Sequence, residues 1–426
     1  MPTPVDPGMR ERRGETLSSP ADGGGMEGGR GKTRQAGGGF LPAGKTRLSS
    51  QCHFLPNKAS GEPVTRMYGI CASAVTVHGY TCQEYDVTTD DGYILSVQRI
   101  PEGQAGGGGL NRPPVVLQHG LFVDGMTWLM NSPQQSLAMI LADNGFDVWI
   151  SNLRGTRHSR RHVFLHPLDP QFWDWTWDKL VTHDLQSVIE YVYSQTGQKI
   201  HYVGHSMGTL IALASLSEGL QIEKIKSAAL LSPIAYLRHV TVPFSGVKGA
   251  PVITSIEFNP SGVEETNYLK IVCANPALNC FDFLTAFTGK NCCLDKSIIE
   301  TYLDNEPQST STRNLDHFGQ MTTSADVLTK YDFGGFNIFH YGQLQPPIYD
   351  LTKIPTDFPL FLSYGGQDKL SVPRDVITLL DKLKFHDKDK LQVQYIEEYA
   401  HMDFIIGVNA KDIVYNQVIQ FFRSHN

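Results

Sequence analysis

Hydrophobic and polar positions divide the chain into three regimes. Residues 1 to 66 are rich in Gly, Ser and Arg, with runs such as Asp22-Gly23-Gly24-Gly25 and no apolar period. Such a segment buries too little apolar surface to offset its ordering entropy, which predicts a disordered tail. From Tyr80 to Ile100 a strand pattern, an Asp90-Asp91-Gly92 turn and a second strand pattern predict a β-hairpin. Beyond the hairpin, short apolar runs alternate with amphipathic stretches. The runs Pro114–Gln118, Phe146–Ile150, Lys199–Gly204, Ser227–Leu231, Phe358–Tyr364 and Leu391–Tyr395 predict buried strands. Helices are predicted at Ser136–Asn144, Leu180–Tyr193, directly after Ser206, at Val372–Leu383 and at Lys411–Arg423.

Alternating β and α elements imply an α/β fold with a mostly parallel sheet flanked by helices. In such a sheet the ligand site lies beyond the carboxyl ends of the strands. The alternation stops at about Pro233 and resumes at Phe358, and the irregular stretch from about Pro233 to Asn314 holds Cys273, Cys280, Cys292 and Cys293. The expected organisation is a tail (1–66), a first core part (67–232), an inserted cap or lid (233–315) and a second core part (316–426). The aromatic run Phe172-Trp173-Asp-Trp175-Thr-Trp177 is expected in the core.

Composition narrows the class. An apolar fraction of 41% supports a sizeable core, and a net charge of −7 argues against a nucleic-acid surface. No window approaches 18 uninterrupted apolar residues, so no transmembrane helix is expected. The first 50 residues hold no apolar core of a signal peptide. Seven cysteines leave at least one unpaired. Cys71 and Cys82 flank a short loop and are expected to pair, with the late cysteines stapling the insertion. Disulfides suit an oxidising compartment, against which the missing signal peptide stands. Metal and cofactor are not expected. Cys292 and Cys293 are adjacent, which suits tetrahedral zinc poorly. The evenly spaced His158, His162 and His166 have no Glu between them and are bracketed by Gly155 and Pro167.

Candidate chemistry centres on Gly204-His205-Ser206-Met207-Gly208, between an apolar strand and an apolar helix. A strand reversing directly into a helix brings backbone against backbone, which calls for Gly204 and Gly208. The apex presents the Ser206 hydroxyl and puts the Met207 N–H at a helix start, where it can hold an oxyanion. His119-Gly120-Leu121 closes an early strand and can supply a second donor, the Leu121 N–H; His119 itself reads as a structural prop. Asp368 ends the strand Phe358–Tyr364, and His401 follows the last strand. The order Ser206, Asp368, His401 is that of a nucleophile, an orienting acid and a base. Asp357, Asp375 and Asp403 close no strand; His317 and His340 come too early, and His386 sits in a charged run expected to be solvated.

From about Cys71 to Phe422 the chain resembles the acid lipase family of the α/β-hydrolase fold, which includes gastric and lysosomal lipases, and is most similar to its plant triacylglycerol lipase branch. The residues that carry the likeness are Leu117-Gln-His-Gly-Leu121, Ala142-Asp-Asn-Gly-Phe-Asp-Val-Trp149, Asn152-Leu-Arg-Gly155, Gly204-His-Ser-Met-Gly208, Asn291-Cys-Cys293, Gly365-Gly-Gln-Asp368 and His401-Met-Asp-Phe404. The resemblance implies hydrolysis of acylglycerols or related lipid esters at a lipid–water interface. Ser206, Asp368 and His401 match its triad, and Leu121 and Met207 match its oxyanion donors. It also implies the secretory pathway, with an extracellular or vacuolar/lysosomal location. The segment Val240–Val252 looks shorter than the family's lid, and Pro243, Gly246, Gly249 and Pro251 would break a helix there. A soluble-ester or steryl-ester hydrolase, and a binding module without turnover, are the alternatives.

Overall fold

The structure is a computed structural model that describes residues 69–106, 111–241, 254–259 and 280–426. The tail, Cys52, Cys273 and nearly all of the Val240–Val252 segment lie outside these residues. Eight strands carry the architecture: β1 (Gln83–Thr88), β2 (Tyr93–Ile100), β3 (Pro114–Gln118), β4 (Asp147–Ser151), β5 (Ile200–His205), β6 (Ile225–Leu231), β7 (Leu360–Gly365) and β8 (Leu391–Ile396). They lie side by side in the order β1-β2-β4-β3-β5-β6-β7-β8, and the two-residue strand Arg161–His162 pairs with β2. β1 and β2 form the expected antiparallel hairpin around Asp90–Gly92. β2 also runs antiparallel to β4, and every later pair is parallel.

Every residue of β3, β4 and β5 is buried, which explains why these strands read as continuous apolar runs. Side chains still alternate between the two faces. Tyr202, Leu360 and Leu362 join one core, with Trp149 and the aromatic run Phe172, Trp173, Trp175 and Trp177. Val203 and Phe361 join the other, with Val148, Phe146 and Phe422. Helices α1 (Leu137–Asp143), α2 (Gln186–Thr196) and α3 (Met207–Ser217) cover the first half of the sheet. Gly145 ends α1 at φ 91° and Gly197 ends α2 at φ 64°, backbone angles that exclude most side chains.

β6 and β7 are parallel neighbours, yet residues 232 to 359 separate them in sequence. This excursion carries α4 (Cys280–Thr288), α5 (Lys296–Asn305) and α6 (Thr312–Thr323). Asp295 caps α5 by accepting from the Ser297 N–H, and Ser311 caps α6 by accepting from the Arg313 and Asn314 N–H groups. α7 (Pro373–Lys382) and α8 (Asn416–Ser424) complete the second half. His386 is not solvated: it is buried, with Nε2 2.7 Å from the Phe358 carbonyl oxygen. The Asp387 N–H donates to the Thr356 oxygen, so the turn packs onto the segment leading into β7.

Cys71 and Cys82 are joined by a disulfide, as are Cys292 and Cys293. Among the described residues no helix is long and apolar enough to cross a membrane.

Candidate active site

Ser206 sits between β5 and α3 at φ 55°, ψ −120°, a conformation sparsely populated by any residue with a side chain. Three glycines let the backbone close around it. A Cβ on Gly204 would lie 2.8 Å from the Gly208 carbonyl carbon, and one on Gly208 would lie 2.5 Å from the Gln118 oxygen. A Cβ on Gly120 would come within 2.8 Å of the Ser206 Cβ and 3.3 Å of its Oγ. The turn after β3 therefore lies directly against the serine, so the strand end bearing Leu121 and the helix start bearing Met207 share one small space.

His119 is neutral and fully engaged. Its Nε2 accepts the Leu153 N–H at 3.0 Å while Nδ1 lies 2.8 Å from the Gly120 oxygen, so Nδ1 carries the proton. Burial pushes its pKa down to about 4, mostly by desolvation. With both nitrogens committed to backbone, it props the turn and has no site free to act as a base. Asn152 continues the prop: its Oδ1 accepts the Gly125 N–H, and its Nδ2 donates to the Ser96 oxygen and to Gln98 Oε1.

On the opposite side, Asp368 follows β7 and His401 follows β8. His401 Nδ1 lies 2.9 Å from Asp368 Oδ2 and 3.1 Å from Oδ1. The Leu370 and Ser371 N–H groups each donate to Asp368 Oδ1 at 2.8 Å. Burial alone would raise this carboxyl, but the His401 charge and hydrogen bond, with the two amide donors, hold it below the usual carboxylate range. His205, the residue before Ser206, donates from Nε2 to the His401 carbonyl oxygen at 3.0 Å. Its ring lies 4.6 Å from the His401 ring, centroid to centroid. Burial, reinforced by His401, lowers the His205 pKa to about 3, so this ring stays neutral. The Asp368–His401 pair is thus tied to the residue adjoining the serine.

Thr288 and Gly289, from the excursion between β6 and β7, meet this pair. The His401 N–H donates to the Thr288 oxygen at 3.2 Å, and Gly289 bridges to Asp368. Asp403 collects the N–H groups of Ala400, Cys292 and Cys293 on its carboxylate. Burial pushes its pKa up to about 6 against those donors. Asp403 therefore anchors the Asn291-Cys-Cys293 turn beneath the histidine, a role no motif announced.

The three evenly spaced histidines do not converge. His158 Nε2 faces Asp124 at 3.8 Å, His162 Nε2 lies 2.9 Å from the Asp91 carbonyl, and His166 Nδ1 accepts the Leu168 N–H.

Comparison with known proteins points to the same fold. The partial α/β-hydrolase lipase region matches residues 71–132, and the α/β-hydrolase fold matches residues 113–248. Triacylglycerol lipase 2 of Arabidopsis thaliana is 50% identical over 380 residues, covering 86% of this chain and 91% of its own. The chain belongs to the acid lipase family. Within the family it is also 36% identical to human gastric triacylglycerol lipase, over 81% of this chain and 88% of that one. Among solved structures, a soluble variant of monoglyceride lipase from Saccharomyces cerevisiae, in complex with a substrate analog, overlaps 82% of this chain and 95% of its own. Its TM-score is 0.50 at 15% identity, a likeness of fold. For this acid lipase family member, the motif Asn152-Leu-Arg-Gly155 has a physical reading. Asn152 props the turn after β3, and the buried Arg154 pairs with Asp184 and Asp91 beneath it.

Proposed function

We propose that this protein hydrolyses triacylglycerol or related lipid esters as a serine lipase, with Ser206 as nucleophile, His401 as base and Asp368 as the orienting acid. The observation that carries the reading is the Asp368–His401 hydrogen bond, held against His205, the residue preceding the strained Ser206. A serine hydroxyl attacks a carbonyl only if its proton is taken as it does so. His401 takes that proton on Nε2, because Nδ1 is committed to Asp368. Asp368, held in its ionised form, fixes the tautomer and stabilises the imidazolium.

The ester carbonyl oxygen becomes an oxyanion and accepts from the N–H groups of Leu121 and Met207, the latter at the positive end of α3. His401 then protonates the leaving alcohol, and the acyl group stays on Ser206. Water, deprotonated by the same histidine, releases the fatty acid. The relatives named as triacylglycerol lipases support the substrate class, and the Cys71–Cys82 disulfide supports passage through the secretory pathway.

On an emulsified triacylglycerol, Ser206→Ala is expected to lose roughly 10⁵-fold or more of the wild-type rate. Equal hydrolysis by the two proteins would remove the proposal. With a short-chain ester followed across its solubility limit, the rate is expected to climb when droplets form. Simple saturation through that limit would move the chain to the soluble-ester hydrolases.

A further inference from the structure

The turn after β3 is clamped at two points by a segment that comes from the excursion between β6 and β7. The Gln308 N–H donates to the Phe122 oxygen at 2.8 Å, and the Asp124 N–H donates to Glu306 Oε1 at 3.0 Å. These two bonds bracket the residues immediately after Leu121. Phe122 stands at φ 62°, an angle a bulky residue keeps only when its surroundings enforce it. Glu306 is 2% exposed, and its Oε2 has no hydrogen-bond donor among the described residues.

The groups around this carboxyl pull both ways: Asp124 opposes its ionisation, whereas the Asp124 N–H, the Gln308 side chain and the Arg157 charge favour it. Asp124, on the clamped turn, is itself buried and faces it. Arg157 reaches Asp124 Oδ2 at 3.5 Å and Asn305 Oδ1 at 3.2 Å, and His158 faces Asp124. The Gln308 amide donates to the Asn305 oxygen at 2.6 Å. From α5 the half-buried Tyr302 also faces Glu306. Burial, and then the Asp124 charge, push the Glu306 carboxyl well above the usual carboxylate range.

We infer that Glu306 is a positioning residue for ester hydrolysis: its buried carboxyl latches the Asp124 end of the turn and so holds the Leu121 N–H where the oxyanion forms. The inference rests on the assignment of Leu121 above. Ionising Glu306 places a second buried negative charge beside Asp124, which loosens the latch and withdraws the donor. The latch is therefore closed while Glu306 keeps its proton and opens as the pH rises through its raised pKa. No signal in the sequence marks it, because Glu306 follows a helix end and precedes a proline like many solvated acids.

The test compares Glu306→Gln and Glu306→Ala with the wild type on a soluble short-chain ester, measuring kcat and KM from pH 4 to 9. Glu306→Ala is expected to lower kcat by about 10-fold or more with KM little changed, a fraction of the loss from deleting a donor outright. Glu306→Gln keeps an acceptor for the Asp124 N–H and cannot ionise. It is expected to restore most of that kcat and to move the alkaline fall of kcat upward or abolish it. Wild-type kcat in Glu306→Ala, or an alkaline limb identical in Glu306→Gln and wild type, overturns the inference. Should Glu306→Ala fail to fold, the near-isosteric glutamine variant still decides through its pH profile. An inactive wild type, by contrast, strikes the serine-lipase reading itself.

Discussion

Two loops meet at Ser206, and a buried carboxyl group stands behind each. Behind the base stands Asp368, which accepts from the Leu370 and Ser371 amides and pairs with His401. Behind the turn after β3 stands Glu306, which accepts from one amide and faces another acid. The first carboxyl is held below the usual range and the second far above it. Burial pushes both carboxyls upward; what separates them is the number and sign of their partners, which outweigh burial at Asp368 and not at Glu306. The difference suits the work on each side. In the proposed mechanism the base side carries a positive charge during the reaction and needs a fixed anion. The oxyanion side must present N–H dipoles to a new negative charge, and an extra anion nearby would oppose it.

The comparison can be broken from either side, beginning with the larger effect. Asp368→Asn leaves the shape intact but removes the anion and allows the wrong His401 tautomer, so kcat is expected to fall roughly 10⁴-fold. A loss below about tenfold would mean that the pair has a purely structural role. On the oxyanion side, Gly120→Ala puts a methyl group 2.8 Å from the Ser206 Cβ, which pushes the turn away from the serine. A fall in kcat of about 10²-fold is expected, the range for a displaced oxyanion donor, with His401 still able to activate Ser206. Unchanged kcat would show that the turn does not contribute its N–H.

The smallest effect concerns stability. A carboxyl raised on folding contributes fully below its unfolded value of about 4.3, and that contribution is lost as pH rises through the raised folded value. The wild-type Tm is therefore expected to decline more steeply toward alkaline pH than that of Glu306→Gln. Parallel Tm profiles would mean that Glu306 does not titrate in this range.

Much of this frame was legible in the amino-acid pattern. The parallel strands are buried on both faces, so they read as plain apolar runs, and the Asp90–Gly92 turn announced its hairpin. Ser206, Asp368 and His401 were placed by the ends of strands, which the pattern marks well. His386 went astray because charge along a run says little about how a turn folds back onto a carbonyl. The supports around the site were illegible for a related reason. Asn152, His205, Glu306 and Asp403 act through partners far away in sequence, such as Asp124 for Glu306 and the Cys292 and Cys293 amides for Asp403. Local period and composition carry no trace of such pairings.

The central claim is that His401 makes the Ser206 hydroxyl a nucleophile. Peptide mapping after treatment with a fluorophosphonate ester reads this directly. The account predicts a single adduct on Ser206 in the wild type, and none on the same timescale in a folded His401→Ala variant. An unmodified Ser206 in the wild type, or one labelled equally fast without the imidazole, would contradict it.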